Sequence, residues 1–346
     1  MNRRLFLALA SLVSAGFTLN ARGATPTNPS ILKPRRLKPG DAVGIISPAG
    51  ATFVEDELNI VVEAVKALNL VPKVGEHALD RYGYLAGKDK DRAADINRFF
   101  ADPEIALILP IRGGWGCARV LPYLDYELIR RNPKIITGFS DLTSLILAIH
   151  AKTGLITFHG PNGFSSWRAP QTDIFRKVLF AGEKLTFENS PDPDDGDRLM
   201  RTKNRIRTIV PGRARGRLIG GNLSVLTSIV GSPYLPAFDD AILFVEDIGE
   251  DVYKIDRMLT QLKLAGLLDN LAGFIFGQCV NCSASGEYGS FTLEEVIRQH
   301  IQPLKIPAWY GASIGHLEIL YTLGIGLQVE IDANRGTLTM LEPAVV

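Results

Sequence analysis

The stretch Lys134-Ile135-Ile136-Thr137-Gly138-Phe139-Ser140-Asp141-Leu142-Thr143-Ser144-Leu145 predicts a buried strand, a sharp turn and the start of a helix. Two β-branched isoleucines follow Pro133, and both features favour an extended backbone. Gly138 permits turn angles that other residues resist. Apolar residues then recur at helical spacing from Leu142 onward. Ser140 is therefore expected between the end of a strand and the start of a helix.

Two interpretations of Ser140 follow from this position. A serine on a strand–turn–helix junction can be an exposed nucleophile with helix N–H groups aimed at its ligand. Serine is also a preferred N-cap residue, which needs no catalytic role. The pattern G-x-S-x-G is not present, because Leu142 stands where the second glycine would be. The local sequence leaves both interpretations open.

The first half of the chain alternates strand and helix patterns. Strands are expected within 41–50, at 71–74 and at 105–111, and helices over 55–69, 88–101 and 117–131. This alternation predicts an α/β fold with a parallel sheet, in which ligands bind at the carboxyl ends of the strands. Three turns occupy such ends: Ser47–Gly50, Arg112–Gly116 and Gly138–Asp141.

The length of 346 residues and the 46% hydrophobic content predict two globular domains. We expect an N-terminal α/β domain over 24–180, a connector over 181–205 that is rich in Pro, Asp and basic residues, and a C-terminal α+β domain over 206–346. In the last of these, strands are expected at 206–210, 241–245, 273–276, 328–331 and 337–341, and helices near 222–231, 252–265 and 292–301.

Residues 1–23 have the three regions of a signal peptide. Arg3 and Arg4 form a basic start, an apolar run too short for a membrane span follows, and small residues precede a cleavage point after Gly23. The alternative is a buried N-terminal helix. The arginine pair also resembles a twin-arginine export signal. We therefore expect a periplasmic protein with no stable membrane insertion once the segment is removed.

Charge and motifs argue against several classes of protein. The formal net charge of +1 gives no electrostatic case for nucleic-acid binding. The glycine-rich turns lack the lysine of a phosphate-binding loop, so no nucleotide cofactor is expected. Cys279-Val280-Asn281-Cys282 could be redox-active or half of a zinc site, but a second Cys or His pair at zinc spacing is missing. We interpret these cysteines as incidental small residues after a strand, and expect no metal.

A serine nucleophile needs a base, and the base needs a group that orients it. Of the five histidines, His159 and His316 are flanked by glycine in turn contexts where a side chain can face a cleft. Glu246 ends a buried apolar run and is either an orienting acid or a solvated loop acid. Asp247 should face the opposite way if the pleat continues. The Arg112–Gly116 turn is either a plain tight turn or supplies a backbone amide that completes an oxyanion hole with the amide of Asp141.

Seven short segments together resemble the LD-carboxypeptidase family of serine peptidases, the muramoyltetrapeptide carboxypeptidases. They occur in family order across most of residues 38–332. The segments are Gly44–Ala49, Arg112–Gly116, Gly138–Asp141, Phe158–Pro161, Gly220–Ser224, Phe244–Ile248 with Asp256-Arg257, and Ile314–His316.

The resemblance implies roles for particular residues. Ser140 would be the nucleophile, His316 the base, Glu246 the orienting acid, and the amides of Gly114 and Asp141 the oxyanion donors, with no cofactor or metal. It also implies a flavodoxin-like N-terminal domain, a smaller swivelling β/α C-terminal domain and a homodimer.

The implied activity is release of terminal D-alanine from murein tetrapeptides by hydrolysis of an L,D-peptide bond. Two alternatives stand beside it: a microcin-immunity-like peptidase that acts on peptidyl-nucleotide antibiotics, with Trp115 or Trp167 stacking on the base, and an exported wall-peptide-binding protein without turnover. The chain departs from the family after His316, where Leu317, Leu320 and Leu323-Gly324-Ile325-Gly326 replace the usual Gly, Asn and Leu-Pro-x-Gly.

Export can be tested directly. We predict that protein from the native envelope fraction begins near Ala24, because signal peptidase cleaves after the small residues that end the segment. N-terminal sequencing measures this. Replacing Arg3 and Arg4 by lysine should block export only on the twin-arginine route, and Arg22→Lys is the matched control that should not. Recovery of an intact Met1 chain from the cytoplasm would contradict the prediction.

Overall fold

A computed structural model describes residues 30–189, 199–200, 205–284 and 289–346. The expected signal peptide over 1–23, with its arginine pair and cleavage point, lies outside the described residues. So do residues 190–198 and 201–204 of the expected connector. Within the described ranges, no helix has both the length and the apolar character needed to cross a membrane.

The elements alternate through the first half and then become mixed. The strands are β1 (Ala42–Ile46), β2 (Val71–Val74), β3 (Ile105–Pro110), β4 (Ile135–Gly138), β5 (Thr157–His159), β6 (Thr186–Phe187), β7 (Arg207–Val210), β8 (Arg213–Asn222), β9 (Ala241–Ile248), β10 (Gly273–Val280), β11 (Ala308–Tyr310), β12 (Leu323–Ile325), β13 (Gln328–Asp332) and β14 (Thr337–Met340). The α-helices are α1 (Glu55–Ala67), α2 (Asp89–Ala101), α3 (Tyr126–Arg131), α4 (Thr143–Thr153), α5 (Ala169–Arg176), α6 (Leu223–Ser228), α7 (Val252–Leu264) and α8 (Leu293–Ile301).

The first sheet confirms the predicted α/β class. Its order among the described residues is β12-β5-β4-β3-β1-β2, and every neighbouring pair from β5 to β2 is parallel. Each residue of β1, β3, β4 and β5 is buried, as a sheet covered on both faces requires. The carboxyl ends of these strands therefore meet at one edge, where the three predicted turns lie.

The second sheet is mixed, with the order β6-β14-β13-β8-β9-β10-β11-β7 in the described part of the chain. The strands from β8 to β11 run parallel to one another, and antiparallel strands flank them. The parallel register places Asn222, the last residue of β8, opposite Glu246 of β9. A second set of carboxyl strand ends is thereby created, and Glu246 lies on it.

Several local predictions were wrong. Residues expected as one helix over 117–131 form a 3₁₀ helix (Cys117–Tyr123) and the short α3, because Pro122 interrupts the hydrogen bonding and Asp125 caps a new start. The ten-residue strand β8 was not predicted. Strand β6 lies within the expected connector and pairs with β14.

One unpredicted strand connects the two sheets. After β11 in the second sheet, the chain runs through His316 and returns to the first sheet as β12. Strand β12 pairs antiparallel with β5, with Leu323 opposite His159. His316 is thus held on a segment whose ends are anchored in different sheets.

Candidate active site

The three turns at the carboxyl edge of the first sheet converge on one cleft. The amide of Gly50 donates to the carbonyl of Gly113 at 3.3 Å. A Cβ built on Gly113 would lie only 3.2 Å from the Oγ of Ser140. The cleft encloses about 210 Å³ and is lined by Arg112, Gly113, Gly114, Phe139, Ser140, Asn162, Phe164, Ser165 and His316.

The backbone of Ser140 is in the left-handed region, with φ of 62°. An N-cap residue has extended backbone angles, and the residue that precedes α4 is Leu142, without a side-chain cap hydrogen bond. The N-cap hypothesis is therefore wrong. A non-glycine residue at positive φ costs energy and is held in place by its surroundings, a pattern concentrated at functional turns. The nucleophile hypothesis is the one this geometry favours.

His316 and Glu246 form a hydrogen-bonded pair. The Nδ1 of His316 lies 2.8 Å from the Oε2 of Glu246, whose side chain is 0% exposed. With Nδ1 engaged, Nε2 is the ring nitrogen left to face the cleft that His316 and Ser140 both line. The structure thus brings together the three residues predicted for catalysis from distant parts of the sequence.

Asp247 makes different hydrogen bonds from those of Glu246. Strand β9 extends to Ile248, so both acids lie inside it and point to opposite sides. The carboxylate of Asp247 accepts hydrogen bonds from the side chain of Asn222 and the amide of Ser224, each at 3.0 Å. Burial raises its pKa to about 6. Asp247 fixes the start of α6 and does not contact the histidine.

The predicted oxyanion donors lie beside Ser140. Gly114 lines the cleft with φ of 122°, an angle that favours glycine. The carboxylate of Asp141 accepts from the amide of Cys117 at 2.7 Å, and burial raises the pKa of Asp141 to about 6. This bond ties the serine turn to the Arg112–Gly116 turn. Donation by the two amides to an oxyanion stays a prediction.

The remaining histidines and cysteines have other roles. His150 is buried in α4, where its Nδ1 forms a hydrogen bond with the carbonyl of Leu155. Burial lowers the pKa of His150 to about 4. His300 pairs with Asp256 between α7 and α8. Cys279 and Cys282 are joined in a disulfide, so the interpretation of incidental cysteines was wrong. His77, Asp80 and Asp91 could offer ligand atoms to a cation within the described residues, away from the predicted catalytic set.

Sequence reasoning missed two residues that shape the serine turn. The ring of Phe139 packs against that of His316, with centroids 5.1 Å apart. The amide of Phe139 donates to the side-chain oxygen of Asn162 at 3.3 Å. Asn162 follows the Phe158–Pro161 segment already singled out, so its nearness to a strand end was the available signal.

Two family models match the chain in tandem. The LD-carboxypeptidase N-terminal domain matches residues 43–160, and the LD-carboxypeptidase C-terminal domain matches residues 215–331. The chain belongs to the LD-carboxypeptidase family. The expected fold, a parallel-strand sheet followed by a second sheet, is shared with solved structures of related proteins.

The similar proteins include murein peptide carboxypeptidases and a microcin self-immunity protein. The chain is 37% identical over 310 residues to a "Probable murein peptide carboxypeptidase" from Bacillus subtilis (strain 168), covering 88% of this chain and 93% of that one. It is 29% identical to a murein tetrapeptide carboxypeptidase from Pseudomonas aeruginosa, covering 85% and 94% respectively. A structure of the microcin C7 self-immunity protein MccF in complex with aspartyl sulfamoyl adenosine aligns with a TM-score of 0.80 at 29% identity, covering 91% and 100%.

Substitution of the two adjacent acids should have different effects on rate and on stability. We predict that Glu246→Gln retains the fold but loses about 10³-fold or more in rate, because an amide cannot stabilise the imidazolium formed during attack. Asp247→Asn should keep the rate within about tenfold and lower the free energy of unfolding by roughly 1–3 kcal/mol, because it weakens a buried network. Initial rates and urea unfolding measure both. An active Glu246→Gln beside an inactive Asp247→Asn would reverse the assignment.

Proposed function

We propose that this protein is a serine carboxypeptidase that hydrolyses the L,D-peptide bond releasing terminal D-alanine from murein tetrapeptides. The observation that carries the proposal is that Ser140, at positive φ, and His316 line one cleft, and that the buried Glu246 is hydrogen-bonded to His316. The names of the murein peptide carboxypeptidases among its relatives supply the substrate class.

In the proposed reaction each of these groups has one role. Ser140 Oγ attacks the carbonyl carbon while His316 Nε2 takes its proton, and the Glu246 carboxylate stabilises the resulting imidazolium. The amides of Gly114 and Asp141 donate to the tetrahedral oxyanion. His316 then returns the proton to the leaving D-alanine nitrogen. Water attacks the acyl-enzyme by the same route and releases the tripeptide.

Arg112 is the cationic side chain among the residues that line the cleft. It directly precedes Gly113 and Gly114, and its guanidinium is 3.3 Å from Glu57 in a partly exposed pair. A guanidinium binds a carboxylate with paired, charge-assisted hydrogen bonds. We assign Arg112 to the terminal carboxylate of the substrate, which distinguishes a carboxypeptidase from an endopeptidase.

The second candidate function is a peptidase acting on peptidyl-nucleotides, since the MccF structure contains an aminoacyl sulfamoyl adenosine. The side chain of Trp115 is adjacent to Gly114, is 68% exposed and packs edge-on against Tyr84. It could stack on a nucleobase. Trp167 is engaged by the carbonyl of Gly163 and the ring of Phe175, which leaves Trp115 as the better candidate of the two.

Export remains part of the proposal. The Cys279–Cys282 disulfide supports it, because disulfides persist in oxidising compartments such as the bacterial periplasm. The homodimer remains a prediction from the family resemblance.

Substrate choice and nucleophile can be tested together. We predict that the purified protein releases D-alanine from a murein tetrapeptide and leaves the pentapeptide and an aminoacyl sulfamoyl adenosine intact. Ser140→Ala should lower the rate by about 10⁴-fold or more, since it removes the nucleophile. Chromatography of the products measures this, with thermal unfolding as the folding control. Cleavage of the nucleotide conjugate alone would favour the second function, and full activity of Ser140→Ala would refute serine catalysis.

Recognition of the terminal carboxylate gives a separate prediction. Arg112→Gln should raise KM by about 10- to 100-fold with a smaller effect on kcat, because it removes a charge-assisted contact of roughly 1.5–3 kcal/mol. A tetrapeptide ending in D-alaninamide is the diagnostic substrate: the native protein should discriminate against it and the variant should not. Arg119→Gln is the matched control, because Arg119 pairs with Asp89 and does not line the cleft. Unchanged discrimination in Arg112→Gln would contradict the assignment.

A further inference from the structure

His159 is a buried histidine that the mechanism above does not use. It is the last residue of β5, where it pairs with Gly138 of the serine strand and with Leu323 of the strand that follows His316. Its side chain is 1% exposed. The ring lies between two phenylalanines: Phe139, next to Ser140, at 6.4 Å between centroids, and Phe244, two residues before Glu246, at 5.2 Å. His159 thus lies between the nucleophile strand and the acid strand.

His159 and Glu246 both carry buried polar atoms that have no hydrogen-bond partner among the described residues. Neither ring nitrogen of His159 has a hydrogen-bond partner among the described residues, and both are buried. The second carboxylate oxygen of Glu246, Oε1, is likewise buried without a partner there, while Oε2 is engaged by His316. Buried polar groups in native proteins almost always find a partner, so a donor and an acceptor left over beside each other form a natural pair.

We propose that His159 is a positioning residue that donates a ring N–H to Oε1 of Glu246 in the working enzyme. In this structure the ring nitrogens and Oε1 are not yet within hydrogen-bond distance, so the bond requires the two side chains to come closer together. The inference rests on the proposed function, because it assigns His159 to the histidine–glutamate pair of that site. The pair becomes a chain in which His159 holds Glu246, Glu246 holds His316, and His316 serves Ser140.

The protonation state of His159 is compatible with a neutral hydrogen-bond donor. Burial lowers the pKa of His159 to about 4, with Glu246 opposing and His316 adding to that shift. Near neutral pH its ring is therefore uncharged and carries one N–H. Neutrality matters, because a second cation beside Glu246 would compete with the imidazolium that forms on His316.

Besides the cation Arg112, which lines the cleft, two buried acids lie next to residues of the catalytic set. Asp247 is next to Glu246 on β9, and Asp141 is next to Ser140; burial raises the pKa of both to about 6. A pKa near 6 falls inside the pH range over which the variants are compared below. A test must therefore compare variants in which both are unchanged.

A donor to the carboxylate lowers the proton affinity of the Glu246–His316 pair, wherever the proton resides. Removing it should raise that affinity, so the acid limb of the pH–rate profile should move to higher pH. A purely structural role for His159 would change stability without moving that limb.

The experiment follows labelling of Ser140 by a fluorophosphonate probe from pH 5 to 9. It compares the native protein with His159→Phe, which keeps an aromatic ring, and with His159→Asn and His159→Gln, which keep an N–H donor. We expect His159→Phe to label about tenfold or more slowly near neutral pH and to shift the acid limb upward by about half a pH unit or more. At least one amide variant should restore both.

An unshifted limb in folded His159→Phe, or the same defect in all three variants, would overturn the proposal. If His159→Phe does not fold, ¹⁵N-histidine NMR of the native protein decides: a hydrogen-bonded His159 N–H that changes in Glu246→Gln supports the proposal, and its absence overturns it. The probe does not depend on the peptide substrate. Labelling that persists in Ser140→Ala identifies failure of the proposed function instead.

Discussion

The hydrogen bond between His316 and Glu246 is the constraint on which the site depends. Glu246 is fully buried on the second sheet, and a carboxylate there requires hydrogen-bonded partners to offset its lost hydration. His316 lies on the segment that crosses between the sheets. A Cβ on Gly315, which has φ of 129°, would lie 3.0 Å from Oε2, so glycine is the residue that lets the segment approach the acid. The bond therefore fixes how the second sheet meets the serine turn on the first.

The elements that could be predicted from the sequence are those determined by residues close to one another along the chain. Strand β4 follows from two β-branched residues after a proline, and α4 from helical spacing of apolar residues. Ser140 could be located at their junction, and Glu246 and Asp247 could be placed on opposite faces of β9 by the pleat, while the choice of Glu246 as the acid came from the family resemblance. In each case, neighbouring residues in the sequence determine the geometry.

The elements that were missed depend on distant contacts. Strand β8 begins with alternating arginines, and Arg213 and Arg215 form ion pairs with acids of β13. Without knowledge of that neighbouring strand, the sequence of β8 has the polar pattern of a loop. Strand β12 is three residues long and exists through its pairing with β5. The choice of His316 over His159 as base could not be made from the residues, because both stand beside glycine in a turn. It depends on which ring can reach both a carboxylate and the cleft.

Positive φ at Ser140 persists because several contacts hold the turn. The amide of Phe139 is bound by Asn162, and the carboxylate of Asp141 is bound by the amide of Cys117. A Cβ on Gly138 would lie 2.8 Å from the side chain of Leu142, so the residue before the turn has to be glycine. These two hydrogen bonds to the turn come from segments that follow strands of the first sheet, whereas the acid lies on the second sheet and the base lies on the segment between the sheets. Because Ser140 follows a strand of the first sheet and Glu246 lies on the second, packing between the sheets controls the alignment of Ser140 with His316.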